Sequence, residues 1–424
     1  MRSTPAVQST RPAVFPSPSP SSTMPVPVAP AAPTGTVVCT VSNLMPPETS
    51  ALPLDGACDL LFFESFYKEN KNNLSGGYGA IELNARVFLE QARNVNKTQY
   101  GISFALTKTL SSADFTTSNF YEMIDDIWNR KIYHFGFLNL YREFSAPEAV
   151  REALLALKEL YFYIKRINQQ RQPSYQILGL SIDHLENFPT VDLMRSIFVP
   201  SIFISIGHVS YSDASFPYCQ ILPPTIRFYP GIHRSKQEKQ YGHSMVRSVE
   251  LLDRVSQLHL NITLAISVGL SGRYYRPHLP NPTFATLNDY RPFKKCLDFN
   301  GSRYDDPVKL CPSVVGADWK VFKSDVQLYI MVYSMYLERT FMFDNAHLIK
   351  EKVCHSRDGF DKVNYTVAAY DVDFDSSPEG CPELDIKAGA FNRLSTIRPL
   401  NEYLRNFTRA YRCSQMNFTR TRAL

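Results

Sequence analysis

YTVAAYDVDF, residues 365–374, is the stretch on which the fold turns. Its first half is a short apolar, β-branched run that suits a buried strand, and Asp371, Asp373 and Asp375 then follow at alternate positions. If the chain stays extended there, the three carboxylates point to one side. Runs of the same kind recur towards the amino terminus: GTVVCTVS (35–42), CDLLFFESFY (58–67), YGISFAL (100–106), IYHFGFLNL (132–140), YQILGLSI (175–182), SIFISIGHV (201–209) and ITLAISVGL (262–270). Between some of them, AIELNARVFLEQAR (80–93) and PEAVREALLALKELYFYIKRI (147–167) repeat apolar residues at three and four, the spacing of a helix face. Strands alternating with helices predict parallel β/α units, and closure into a (β/α)8 TIM barrel of the α/β class is the economical arrangement.

The 424 residues, 44% hydrophobic and 13% aromatic, are enough to bury a large core. Residues 1–36 differ: VFPSPSPSSTMPVPVAPAAPTG (14–35) is Pro, Ser and Ala with almost no charge, which predicts a disordered stalk or linker. The barrel is expected over 37–405, with a small inserted subdomain at about 275–340 where the alternation lapses, and a carboxy-terminal tail over 406–424. The net charge of +5 comes from mixed signs without a basic stripe, so no nucleic-acid partner is implied. No run of about 18 apolar residues crosses a membrane, and the first residues show neither the basic nor the apolar region of a signal peptide.

Eight cysteines without a CxxC pair point to disulfides rather than zinc, and no metal or cofactor is implied. Acceptor sequences for N-glycosylation stand at Asn73, Asn96, Asn261, Asn300, Asn364, Asn406 and Asn417. Together they predict an extracellular or lumenal glycoprotein.

TFMFDNAHLIKEKV (340–353) followed by YTVAAYDVDFDSSPEGC (365–381) resembles the closing segment of the glycoside hydrolase family 18 chitinases. In that family an aromatic strand end, an Asp-bearing loop and a Lys-bearing helix precede a strand of the form hhWhhDhDDhxGxxC. Phe343, Asp344, Asn345 and Lys350 match the first part; Tyr370, Asp371, Asp373, Asp375 and Cys381 lie in the second. FNRLSTIRPLNEYL (391–404) is similar to the last barrel helix, and residues 248–277, with Gly272 and Arg273, to the helix, strand and Gly-Arg turn. The resemblance implies disulfides Cys39–Cys58 and Cys311–Cys381; Cys296 with Cys354 is a further guess, and Cys219 and Cys413 stay unassigned.

Family 18 hydrolysis uses DxxDxDxE on the fourth strand, where the Glu protonates the leaving oxygen and the Asp two residues earlier orients the substrate's nucleophilic acetamide. Against IYHFGFLNLYREFSAP (132–147) one register sets Gly136, Asn139, Tyr141 and Glu143 at D, D, D and E. Shifted by one, the positions are Phe135, Leu138, Leu140 and Arg142. Both registers lose the orienting Asp, and the first keeps Glu143 as the candidate acid. The third-strand SxGG becomes Ser103, Phe104, Ala105 and Leu106; the sixth-strand MxYD has only His208, Tyr211 and Asp213 as loose counterparts; Tyr370 replaces the Trp under the sugar. The bland alternatives are a surface Glu143, satisfied histidines at His184 and His208, and carboxylates at Asp371 and Asp373 that hydrogen-bond within the barrel mouth. The expected function is a secreted, non-catalytic chitinase-like barrel that binds a glycan (chitin or N-acetylglucosamine-containing) or an extracellular protein at its carboxyl-end face. Asn139, Tyr141, His208, Tyr211, Asp213, Tyr370, Asp371 and Asp373 are its candidate ligand-binding residues. The alternative is a weak retaining, substrate-assisted hydrolase of chitin-like polymers with Glu143 as general acid.

Overall fold

A computed structural model describes residues 25–64, 67–68, 71–72, 81–104, 112–140, 147–181, 192–209, 219–227, 244–280, 282–297, 303–316, 318–357, 360, 362–406 and 413. Eight parallel strands close a barrel: β1 (Val38–Val41), β2 (Leu60–Phe63), β3 (Gln99–Ser103), β4 (Ile132–Leu140), β5 (Gln176–Leu180), β6 (Ile202–Ser205), β7 (Thr263–Gly269) and β8 (Thr366–Tyr370). The ends meet where β1 pairs with both β2 and β8, with Cys39 opposite Leu61 on one side and Ala369 on the other. Alternate residues divide the strands between two cores, as the period of two requires. Val38, Leu60, Phe62, Leu138, Ile177, Ile204, Ala368 and Tyr370 fill the barrel. Cys39, Val41, Leu61, Phe63, Phe135, Phe137 and Leu140 pack outwards with the helical layer.

That layer includes α1 (Leu83–Gln91), α2 (Ser118–Asn129), α3 (Pro147–Ile167), α4 (Met245–Ser256), α5 (Ala346–Ser356) and α6 (Ile397–Asn406). The Asn345 side chain caps α5 by accepting from the Leu348 N–H at 2.9 Å, and its amide donates to Asp385 at 3.1 Å. Asn345→Ala is expected to cost about 1 kcal/mol; an unchanged urea midpoint would deny the cap any role.

Residues 272–343 leave the barrel after β7 and form a five-stranded antiparallel sheet, ordered 304–305, 272–275, 339–343, 329–334 and 320–324. Met331 and Met342 face one small core with Tyr275 and Tyr290, while Ile330, Val332, Phe341 and Phe343 face another with Trp319 and Leu384. This is the inserted subdomain.

Four disulfides are present. Cys39–Cys58 and Cys311–Cys381 are as expected, with Cα separations of 6.1 and 5.7 Å. The guess of Cys296 with Cys354 is corrected: Cys296 joins Cys219, fastening the chain after β6 to the subdomain, and Cys354 joins Cys413. Cys354 lies on α5, and Cys296 lies in the subdomain, where its N–H donates to the carbonyl of Cys219 at 3.0 Å. Within the tail expected from residue 406, Cys413 is therefore stapled to α5.

Contacts also begin before residue 37. Val28 bridges Val199 in parallel, Ala29 and Ala32 are buried, and the Thr263 hydroxyl donates to the Ala32 carbonyl. Residues 27–36 thus lie across the amino-terminal mouth of the barrel, where a proline-rich strip can satisfy its few donors on strand ends.

Candidate functional site

Barrel chemistry belongs to the carboxyl ends of the strands, and here polar side chains from six of them converge. Thr40 and Ser42 come from β1 and its exit, Glu64 follows β2, Asn139 lies near the end of β4, and His208 follows β6. Ser267 and Ser271 come from β7 and its exit, and Tyr370, Asp371 and Asp373 from β8 and its exit. All are buried.

The β4 register follows from its packing. Gly136 faces the barrel interior, where an added Cβ would lie 2.6 Å from the Leu138 side chain and 2.7 Å from the Ile177 carbonyl, so that position has no room for an Asp. The pairing of β4 with β5 slips between Phe137 and Leu140. The Leu138 N–H donates to Ser103 at 3.0 Å. After the slip Leu140 packs outwards with Phe135, while Asn139 faces Glu64. Of the positions in the two registers, Phe135 and Leu140 pack outwards, Gly136 and Leu138 face the barrel interior, and Asn139 faces Glu64. Tyr141 and Glu143 lie outside the described residues, as do Tyr211, Asp213 and His184.

Tyr370 crosses the barrel. Its hydroxyl donates to the Leu138 carbonyl on β4 at 3.0 Å, and its ring lies 4.5 Å from the His208 imidazole. Burial, with Glu64 and Asp371 nearby, raises its pKa well above the usual phenol value. In this structure the ring is packing, fully buried, rather than a floor open to a sugar. His208 in turn pairs through Nδ1 with the Ser267 hydroxyl at 2.7 Å.

The three acids after β8 do not share one extended face. Asp371 is left-handed (φ 59°, ψ 44°), which ends the strand, and Val372–Asp375 turn into a 3-10 helix. An Asp tolerates that conformation better than most residues. The turn sends each carboxylate to a different partner. Asp371 accepts from the Ser271 hydroxyl at 3.0 Å, while Asp373 accepts from the Ser42 N–H and hydroxyl at 2.8 and 2.7 Å. Asp375 accepts from Arg393 at 2.8 Å.

Glu64, absent from the sequence reading, completes the group. It is fully buried and faces Asp371 and Asn139, and among the described residues no donor makes a well-shaped hydrogen bond to either of its oxygens. Burial first, and then the Asp371 and Asp373 charges, raise its pKa well above the usual carboxylic range. Burial and Asp373 raise Asp371 to about 7, and burial raises Asp373 to about 6. Two carboxyls side by side cannot both ionise cheaply, so Glu64 keeps its proton, which lies towards Asp371. The signal was in the sequence: a charged residue directly after LLFF at a strand end.

Of the two lysines on α5, Lys352 is fully buried, bonded to Asp344 and donating to the Thr225 carbonyl at 2.7 Å, while Lys350 pairs with its neighbour Glu351 at 3.1 Å. Arg393 donates to Asp375 at 2.8 Å and to the Asp344 carbonyl at 3.4 Å, which holds the insertion and the β8 exit together. Of the glycosylation acceptors, Asn96, Asn261, Asn364 and Asn406 are exposed; Asn73, Asn300 and Asn417 lie outside the described residues. No helix is long and apolar enough to cross a membrane among the described residues.

No protein-family model and no curated protein matches the sequence. Solved structures do match the fold. Human YKL-39, described as a pseudo-chitinase with retained chitooligosaccharide binding, superposes with a TM-score of 0.56 at 10% identity, over 86% of this chain and 98% of that one. The class V chitinase of Nicotiana tobaccum gives 0.51 at 12% identity, over 86% and 98%. The multi-modular chitinase ChiW of Paenibacillus gives 0.55 at 9% identity, over 87% of this chain and 33% of that one. At such identities the likeness is one of architecture, and by architecture this chain is a chitinase-like (β/α)8 barrel with an inserted subdomain.

Proposed function

We propose that the protein is a secreted glycan-binding barrel without chitinase activity, taking an N-acetylglucosamine-containing oligosaccharide at its carboxyl-end face. The observation that carries this reading is the inner face of β4. Substrate-assisted hydrolysis needs an acid near the glycosidic oxygen and a carboxylate that holds the acetamide beneath the anomeric carbon. In the register that keeps Glu143 as the acid, Gly136 and Asn139 fall at the first two carboxylate positions and Tyr141 at the orienting one; in the other register no acid remains. A phenol can donate one hydrogen bond but brings no negative charge to an oxazolinium ion. Loss of a positioned acid or base costs about 10²–10⁴ in rate, and a misplaced nucleophile forfeits part of the proximity advantage as well. A pseudo-chitinase that keeps its oligosaccharide binding, as YKL-39 is described, offers a functional analogy. Four disulfides and the exposed acceptor asparagines support passage through an oxidising compartment.

The test is turnover of fluorogenic chitooligosaccharides by the purified protein, with binding measured in parallel. Binding without turnover is expected. Turnover at rates typical of chitinases, abolished by Glu143→Gln while binding persists, would replace this reading with that of a hydrolase using Glu143 as its acid.

A further inference from the structure

The amino-terminal mouth of the barrel has a cavity of its own, of about 410 Å³, which is within the range of small-molecule sites. It is lined by Pro33–Thr36 of the proline-rich strip, by the first residues of β2 and β3, by Tyr175 just before β5, and by α6. Five charged residues border it. Arg398, Glu402 and Arg405 stand at i, i+4 and i+7 of α6 and so share one helix face, while Asp59 and Lys97 come from the loops before β2 and β3. Asp59 is satisfied, accepting from the Val37 N–H at 2.7 Å and from Arg398 at 2.8 Å, and Arg398 donates as well to the Gly56 carbonyl at 3.1 Å. Lys97 and Arg405 are exposed, and among the described residues nothing pairs with either charged end. The Lys97 stem lies against Gly56, where an added Cβ would come 2.9 Å from its Cδ, and a Cβ on Gly35 would stand 3.7 Å from the Arg405 guanidinium.

A neutral donor faces the same space, and its direction is fixed from behind. Burial keeps His134 neutral, and the Tyr175 N–H donates to its Nδ1 at 3.1 Å. The ring proton therefore sits on Nε2 and is given to Gln99 Oε1 at 2.9 Å. With its oxygen turned to His134, Gln99 presents its amide nitrogen elsewhere, and no acceptor among the described residues takes it.

We propose that this cavity binds a sulfate or phosphate ester of a sugar, with Lys97, Arg405 and the Gln99 amide donating to the terminal oxygens of the ester group. Three donors from three elements suit the three oxygens of a tetrahedral ester better than the two of a carboxylate. The lining charges, three positive against two negative, leave a net positive site. Glu402 is left to accept from hydroxyls of the ring. Tyr175, braced by stacking on His134 with ring centroids 5.2 Å apart, adds an aromatic surface for the sugar body. The amino-terminal face of such barrels does not carry chemistry, so the site is one of binding, at the opposite end from the proposed glycan face.

The experiment is calorimetric titration of the full chain with glucose 6-sulfate, glucose 6-phosphate and glucose at constant ionic strength. At least one ester should saturate a single site, with glucose at least tenfold weaker, and the tighter ester identifies the group. Lys97→Gln and Arg405→Gln should each weaken the ester about tenfold, whereas Arg151→Gln, at an exposed arginine on α3, should leave it unchanged. Unfolding midpoints of the variants separate loss of site from loss of fold. Inorganic sulfate or phosphate that binds as tightly as the esters overturns the sugar assignment. Esters no better than glucose, or an affinity that survives both substitutions in folded protein, overturn the site. Chitooligosaccharide binding at the other mouth is untouched by any of these results, so the glycan-binding reading is judged separately.

Discussion

Arg393→Met should lower the folding free energy by about 3–5 kcal/mol, the cost of removing one member of a buried ion pair and leaving the other uncompensated. Arg393 is 1% exposed. Its Nε donates to Asp375 at 2.8 Å, and its two terminal nitrogens donate to the carbonyls of Leu270 and Phe374, each at 2.6 Å. It therefore ties the end of β7 to the turn after β8, on either side of the point where the inserted subdomain leaves and returns. Methionine fills the stem volume but supplies no donor, so a carboxylate and two carbonyls lose their partner at once. Asp375 would still accept from the Leu394 N–H at 2.8 Å, which places the loss within that range rather than above it. Adding Asp375→Asn should recover part of the loss, because it removes the stranded charge. Urea unfolding measures both; a single variant less than about 1 kcal/mol weaker than the wild type would show that the network is not a fastening.

Arg393 also shows what the sequence could and could not reveal. The strand runs were legible because a barrel strand buried on both faces needs an unbroken apolar run, and IYHFGFLNL does form one strand, Ile132–Leu140. The two disulfides read from the resemblance were found, whereas Cys219–Cys296 and Cys354–Cys413 depend on where the subdomain and the tail return, which no local pattern encodes. The run of alternate acids after β8 misled because alternation was taken to mean an extended chain. One left-handed residue, Asp371, redirects all three carboxylates. The buried pairing of Lys352 with Asp344 was not legible either, because two lysines two residues apart on a helix cannot be told apart without knowing which face is inward. Glu64 was passed over as the polar end of an apolar strand. Its meaning depends on Asp371, which lies over 300 residues away in sequence and is separated from it in space by a single strand, β1.

That same cluster predicts an inverted pH dependence: the protein should be more stable at about pH 5.5 than at pH 8, by at least about 1 kcal/mol. Glu64, Asp371 and Asp373 all have pKa values raised in the fold, Asp371 to about 7 and Asp373 to about 6, from an ordinary 3.8. A group whose pKa is raised on folding binds its proton more tightly in the native state. Its contribution is complete below the unfolded pKa and is lost as pH rises through the folded one. For these acids that window runs from about pH 5 to above pH 7, where ionisation places like charges together against Tyr370, with Ser42 and Ser271 as the hydroxyl donors on Asp373 and Asp371. His134 works the other way. Burial lowers its pKa from 6.5 to about 3, so the unfolded chain takes up a proton that the fold refuses as pH falls below 6.5. At about 1.4 kcal/mol per unit, that penalty is about 1–2 kcal/mol at pH 5.5, whereas Asp371 and Asp373 together regain about 3, and Glu64, raised by burial and its neighbours, acts in the same direction. The acids therefore win. Urea unfolding at the two pH values measures the difference, and Asp371→Asn should flatten it by removing one titrating group and relieving Glu64. A midpoint that stays constant or rises from pH 5.5 to 8 would mean that the three carboxyls do not share the charge-poor site assigned to them.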